Sequence, residues 1–143
     1  MTDESFWGAD FSGFEVVSIH EIFTKQGALL PKLTNDYVSA ELVKVDKDPF
    51  INNAFVYRFY LVGKYLNNYR FSVCTFSHAI EIYPFKIRFD EQIVNELKIE
   101  PLVTVSSSEE ATLLTKKALS SQRIRSVISG IIKLSDSESG IPF

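Results

Sequence analysis

The regular placement of large apolar side chains at alternate positions, beginning at residue 55, constrains this fold more than any other feature of the sequence. On both sides of a loop at 63–68 the odd-numbered positions are apolar: Phe55, Tyr57, Phe59, Leu61, Tyr69, Phe71 and Val73. Successive residues of a strand point to opposite faces of a sheet. The pattern therefore predicts a β-hairpin with one strongly apolar face.

Alternation resumes beyond Ser77 and His78, but its parity changes. Ile80 and Ile82 are even-numbered, whereas the apolar residues that follow Pro84 are odd-numbered: Phe85, Ile87 and Phe89. Proline cannot donate a ladder hydrogen bond, so we expect a bulge or bend in an edge strand there. An earlier strand at 37–45, with a bulge where its alternation slips, completes a predicted antiparallel meander of about four strands.

An N-terminal helix is predicted between Ser18 and Leu33, where apolar residues recur every three or four positions. Ser18 is placed to act as its N-cap. Gly27 and Pro31 each weaken a helix interior. We therefore expect the helix to end or kink near Gly27.

The C-terminal third is helical by the same criterion. A short helix is predicted at 90–98, and a second helix begins at a capping box formed by Ser107 and Glu110 and runs to about Leu119. A third helix carries an apolar stripe from Ile124 to Ile132. We expect an α+β fold, in which one N-terminal helix and two to three C-terminal helices pack on one face of the antiparallel sheet.

The chain of 143 residues is expected to form a single domain, 1–143. Segment 1–16 is acidic and aromatic, and its aromatic side chains should dock on the body of the domain. Segment 135–143 should fray. One cysteine fits a reducing compartment, and no apolar run approaches the roughly 20 residues that cross a bilayer. We expect a cytoplasmic protein without membrane contact.

The sequence contains only weak indications of catalytic residues. Cys74 and His78 could form a nucleophile and its base only if the chain turned between them, because residues four apart on a strand lie about 13 Å apart. His20 lacks the second histidine four positions later that a helical zinc protease requires. Glu81 has no identifiable partner carboxylate. We expect no catalytic residue, no metal ligand and no cofactor.

The even-numbered side of the hairpin carries arginine and tyrosine instead of small polar residues. We assign Val56, Arg58, Tyr60, Val62, Arg70, Ser72, Cys74 and Phe76 to this side. Arginine and tyrosine are enriched in protein interfaces. The candidate partner-binding residues are Arg58, Tyr60, Arg70, Tyr83, Lys86 and Arg88. Ordinary cross-strand pairing that stabilises the strands is the alternative.

Nucleic-acid binding is a second hypothesis. Bases could stack on tyrosine while phosphates bind arginine, and the last two helices faintly resemble a helix-turn-helix. The residues that would bind are Arg58, Arg70, Lys116, Lys117, Arg123 and Arg125. A net charge of −3 opposes general phosphate affinity.

Three segments, Asn68–Phe71, Ser77–Pro84 and Leu119–Arg125, resemble a pattern found in small uncharacterised bacterial proteins. The resemblance spans residues 17 to 134 and implies a bacterial protein of one domain, but no activity. We expect a non-catalytic module that binds a partner protein. An immunity protein or another toxin inhibitor is one class of this kind, since such proteins are small, soluble and often acidic.

Overall fold

The computed structural model describes residues 5, 6, 8, 16–45 and 55–139. Helices and strands follow one another along the chain in this order: α1 Ile19–Leu33, β1 Val38–Val45, β2 Phe55–Gly63, a 3-10 turn at Lys64–Leu66, β3 Tyr69–His78, β4 Phe85–Phe89, α2 Glu91–Leu97, β5 Val103–Val105, α3 Ser108–Leu119 and α4 Gln122–Ser139. The α+β class, the N-terminal helix and the C-terminal helices are as predicted.

The described strands form one antiparallel sheet in the order β1-β2-β3-β4-β5. This is the predicted meander with one additional strand. The sequence pattern missed β5 because three residues, Val103–Val105, are too few to show a period of two.

The sheet bulges at a different place from the two that were predicted. The register between β2 and β3 shifts after Phe59, which faces Cys74, while Tyr60 faces Ser72. Val73 is therefore the extra residue of a bulge. Beyond it the even-numbered residues of β3 share the apolar face of β2, so the prediction that Cys74 and Phe76 lie on the opposite face is wrong.

The other two predicted irregularities are also absent from the described strands. β1 pairs with β2 in continuous register from Val38↔Gly63 to Val45↔Val56, so the predicted bulge in β1 is wrong. Residues 79–84 form a loop, and β4 begins only at Phe85. The parity change at Pro84 therefore marks a connection between strands, and β4 lies between β3 and β5 instead of at an edge.

The core lies between the helices and one side of the sheet, which we call the inner face. Its strand residues are large and buried: Phe59, Leu61, Val73, Phe76, Phe85, Ile87 and Phe89. Each helix adds apolar side chains to the same cluster: Ile19 and Phe23 of α1, Ile93 of α2, Ala111 and Ala118 of α3, Ile124 and Ile131 of α4. One side of the sheet is therefore covered by all four helices.

Helix α1 begins as predicted but does not end at Gly27. Ser18 and Glu21 form a reciprocal capping box, and the helix continues through Gly27 and Pro31. A Cβ atom on Gly27 would lie 2.9 Å from Cβ of Ala40. The glycine therefore serves the close approach of α1 to β1, and its cost to helix stability is offset by packing.

The structure describes only part of each chain end. Helix α4 continues past residue 135 to Ser139, and Ser135 is buried; the fraying of 135–143 stays a prediction. Residues 140–143 lie outside the described residues. In the acidic segment 1–16, Phe6 is exposed instead of docked, and the remaining aromatic residues lie outside the described residues.

Gly63 is expected to tolerate no side chain. A Cβ atom there would lie 2.8 Å from Cγ2 of Ile131, which is buried on α4. Replacing Gly63 with alanine should destabilise the domain by about 1–3 kcal/mol, because sheet and helix must separate. Gly130→Ala is the matched control: nothing lies within 4 Å of that site, so better helix propensity should stabilise by up to about 1 kcal/mol. If urea denaturation showed equal changes in the free energy of unfolding for Gly63→Ala and Gly130→Ala, the close contact between Gly63 and Ile131 would be contradicted.

Candidate functional site: an arginine-lined groove on the outer face

The side of the sheet opposite the helices, which we call the outer face, carries the polar strand residues. Directly paired residues share a face, and one row across the sheet runs from Val43 through Arg58 and Thr75 to Arg88. The neighbouring row contains Glu41, Tyr60 and Ser72. The strands thus bring together residues that are up to 47 positions apart in the sequence.

A groove of about 700 Å³ runs along this face and ends at the segment that includes α2. Its lining combines strand residues with residues of α2 and the turns on either side: Arg58, Tyr60, Ser72, Cys74, Thr75, Arg88, Phe89, Asp90, Glu91, Val94, Asn95 and Pro101. The volume lies within the range of about 300–1,000 Å³ that is usual for ligand sites. The polar side chains on its strand side are Arg58, Tyr60, Ser72, Thr75 and Arg88.

Arg58 is held in place by its neighbours. Its Nε donates to Oγ1 of Thr75 at 3.1 Å and its Nη1 donates to the hydroxyl of Tyr60 at 3.4 Å. Thr75 is buried, and Arg88 lies on its other side in the row. Arg58 and Arg88 thus stand on the two strands beside Thr75, and arginine is the residue best suited to bind carboxylate or phosphate oxygens.

Arg70 is positioned differently. Its guanidinium forms an ion pair with Glu41 at 2.6 Å and lies 5.3 Å from the centre of the Tyr60 ring. Both charged side chains are nearly half exposed, so the pair contributes little to stability. A partner carboxylate could replace Glu41 at small cost.

The last two predicted partner-binding residues, Lys86 and Tyr83, lie in different parts of the structure. Lys86 lies on the outer face between Ser77 and Thr104 and is exposed. Tyr83 lies in the loop before β4, and its hydroxyl donates to the carbonyl of Val17 at 2.5 Å. Burial raises the pKa of Tyr83. Five of the six predicted partner-binding residues thus share one face, while Tyr83 attaches the loop to the start of α1.

The groove has an acidic side as well as a basic one. Asp90 is the N-cap of α2 and also accepts from Nε of Arg123 at 3.0 Å. Glu91, next to it, is exposed. The groove lining therefore carries both signs of charge, with Arg58 and Arg88 on the strands and Asp90 and Glu91 at the start of α2.

The residues of the nucleic-acid hypothesis do not form one surface. Arg123 packs over Phe71 at 5.1 Å and pairs with Asp90, while Lys116, Lys117 and Arg125 are exposed on helices of the opposite layer.

The start of α4 is also unsuited to a recognition helix. The carboxylate of Glu96 accepts from the backbone N–H groups of Gln122 and Arg123 at 2.8 and 2.9 Å. A helix-turn-helix presents this end to phosphates and bases. In this protein a carboxylate of α2 already occupies it.

Cys74 and His78 do not form a thiol and imidazole pair, in keeping with their spacing on one strand. Cys74 is buried, burial raises the pKa of its thiol, and it lies four residues before His78 on the same strand. His78 instead contacts His20, with 3.1 Å between the two Nε2 atoms. Burial, and secondarily the charge on His78, lowers the pKa of His20. Sequence inspection missed this pair because 58 residues separate its members.

Among the residues that the structure describes, no group of three or more His, Cys, Asp or Glu side chains is placed to hold a metal ion. None of the described helices is both long and apolar enough to cross a membrane.

No family model, curated protein or solved structure matches this chain significantly. Fold and site define an α+β domain whose sheet is covered by helices on one side and carries an arginine-lined groove on the other. The groove and the residues around it are the features of this domain that bear on its function.

Proposed function

We propose that the protein is a non-catalytic interaction module whose outer face binds an acidic segment of a partner protein. The observation that carries this proposal is the row formed by Arg58, Thr75 and Arg88 at the floor of the groove. The row places two arginines on strands β2 and β4, either side of Thr75 on β3, and all three residues line the groove. Carboxylate side chains are the protein groups that such an arrangement recognises.

The surroundings of the row support a protein partner over a small molecule. Arg70 and Lys86 extend the positive charge along the exposed part of the same face, beyond the groove itself. Tyr60 lies between Arg58 and Arg70, and tyrosine and arginine together are typical of interface centres. The binding surface would thus extend beyond the length of a single small-molecule ligand.

An immunity protein is the particular class that we favour within this proposal. Such a protein inhibits a toxin by covering part of its surface, which requires a binding face and no catalytic group. The bacterial origin and cytoplasmic location implied by the sequence belong to the same proposal.

Reversing the charge of the groove tests the proposal. The double variant Arg58→Glu/Arg88→Glu should bind the partner at least about tenfold more weakly than wild type, because like charges would face each other at the interface. The partner is first captured from the native host with the wild-type chain, and its affinity for each variant is then measured by calorimetry. Circular dichroism checks that this double variant, and the control variant described next, are folded.

Lys116→Glu/Lys117→Glu is the matched control, because it makes the same change of charge on α3 in the helical layer. It should leave partner affinity within about threefold of wild type. If both double variants lost partner affinity equally, the loss would be a general effect of charge, and the proposal that the groove binds the partner would be refuted. A salt-sensitive gel shift with a single-stranded oligonucleotide, lost in the α3 variant, would favour the nucleic-acid hypothesis instead.

A further inference from the structure

The contact between the two histidines has the dimensions of a metal chelate. His20 lies in the first turn of α1 and His78 is the last residue of β3, and their Nε2 atoms are 3.1 Å apart. Imidazole nitrogens bind zinc at about 2.0–2.1 Å, so two ligands at about 90–110° around one ion have nitrogens about 2.9–3.4 Å apart. The pair is already at this spacing.

The orientation of His78 is fixed by a second hydrogen bond. Its Nδ1 lies 2.6 Å from the carbonyl oxygen of Ala79. A carbonyl only accepts, so Nδ1 carries the hydrogen and Nε2 of His78 presents a lone pair towards His20. Histidines that bind metals usually donate their other ring nitrogen in this way.

Aromatic rings hold both imidazoles in place. His20 packs edge-on against Tyr57 at 4.0 Å and against Phe76 at 5.3 Å, and His78 stacks on Phe55 at 5.6 Å. His20 is partly exposed, which gives an ion access from solvent. Rings that are locked by packing lose little freedom when they bind a ligand.

We propose that His20 and His78 form a binding site for one divalent late transition-metal ion, such as Cu²⁺, Ni²⁺ or Zn²⁺. Imidazole suits these ions, and Cu²⁺ should bind most tightly. The ion replaces the hydrogen between the two Nε2 atoms; that hydrogen moves to Nδ1 of His20, so both rings stay neutral. Water or a donor atom of a bound molecule fills the remaining positions. The proposal is independent of the groove, which lies on the opposite face.

Electron paramagnetic resonance of the protein with one equivalent of Cu²⁺ tests this site directly. The chain contains two histidines, so a hyperfine pattern of two imidazole nitrogens in an untagged monomer must come from this pair. The pattern should not change with protein concentration. A spectrum that shows one imidazole nitrogen or none would overturn the proposal.

His20→Gln and His78→Gln supply the second readout. Loss of an outer-shell partner already costs about 10–100-fold in metal affinity, so removal of a ligand should weaken Cu²⁺ binding at least as much. With Ni²⁺ at about a hundred times its Kd, the Tm of wild type should rise by about 5–10 °C, and that of His20→Gln much less. His20 is partly exposed, so His20→Gln decides the question if His78→Gln does not fold. Equal metal-induced shifts in wild type and His20→Gln would place the ion elsewhere and refute the site.

Discussion

Replacement of Phe76 with alanine is expected to lower the free energy of unfolding by about 3–5 kcal/mol, the largest effect of any single substitution considered for this protein. Phe76 is 0% exposed at the centre of the inner face. Its ring stacks on Phe23 at 5.7 Å and on Tyr57 at 5.5 Å, and it meets Phe85 edge-on at 6.2 Å. Alanine would leave a cavity between α1 and three strands that the surrounding rings cannot fill.

Tyr69→Ala is the control, because it removes an aromatic ring from the same strand at a position that is 48% exposed. It should cost less than about 1 kcal/mol. Urea denaturation followed by circular dichroism gives both values, provided that the m-value is unchanged. If the two variants lost similar stability, Phe76 would not lie on the inner face, and the bulge at Val73 would be misplaced.

The position of that bulge shows where sequence patterns stop being informative. The alternation from Phe55 to Leu61 predicted β2 correctly because large apolar residues fill one face of this strand, while Arg58 and Tyr60 mark the other. The second half of β3 has no such contrast, since all six residues from Val73 to His78 are buried. With no polar residue exposed to mark a face, the register there depends on the partner strand, which a local pattern does not contain.

The residues considered for function fall into two groups by the same criterion: those that a local pattern can place and those that it cannot. Arg58, Tyr60 and Arg70 could be assigned to one face because that assignment needs only a strand period of two. The carboxylate of Glu96 at the start of α4 and the contact between His20 and His78 join residues 26 to 58 positions apart. Such contacts follow from how helices pack on the sheet, and no spacing in the sequence indicates them.

Asp90→Ala is expected to cause the second largest loss of stability, about 2–3 kcal/mol. The carboxylate performs two tasks: it accepts from the backbone N–H of Gln92 at 3.1 Å as the cap of α2, and it pairs with Nε of Arg123 at 3.0 Å. The side chains of Arg123 and Asp90 are only 25% and 17% exposed. Alanine would remove the cap and leave the guanidinium largely buried without this partner. Glu91→Ala, at the exposed neighbouring position, is the control and should change stability by less than about 0.5 kcal/mol.

A double-mutant cycle separates the two tasks of Asp90. Arg123→Met keeps most of the side-chain stem over Phe71 and removes the charge, so the cap is left intact. If the ion pair joins α2 to α4, the combined variant should be at least about 1 kcal/mol more stable than the sum of the single losses predicts. A coupling energy near zero, with Asp90→Ala still costly, would mean that capping alone accounts for the effect. The acidic side of the groove would then depend on α2 by itself.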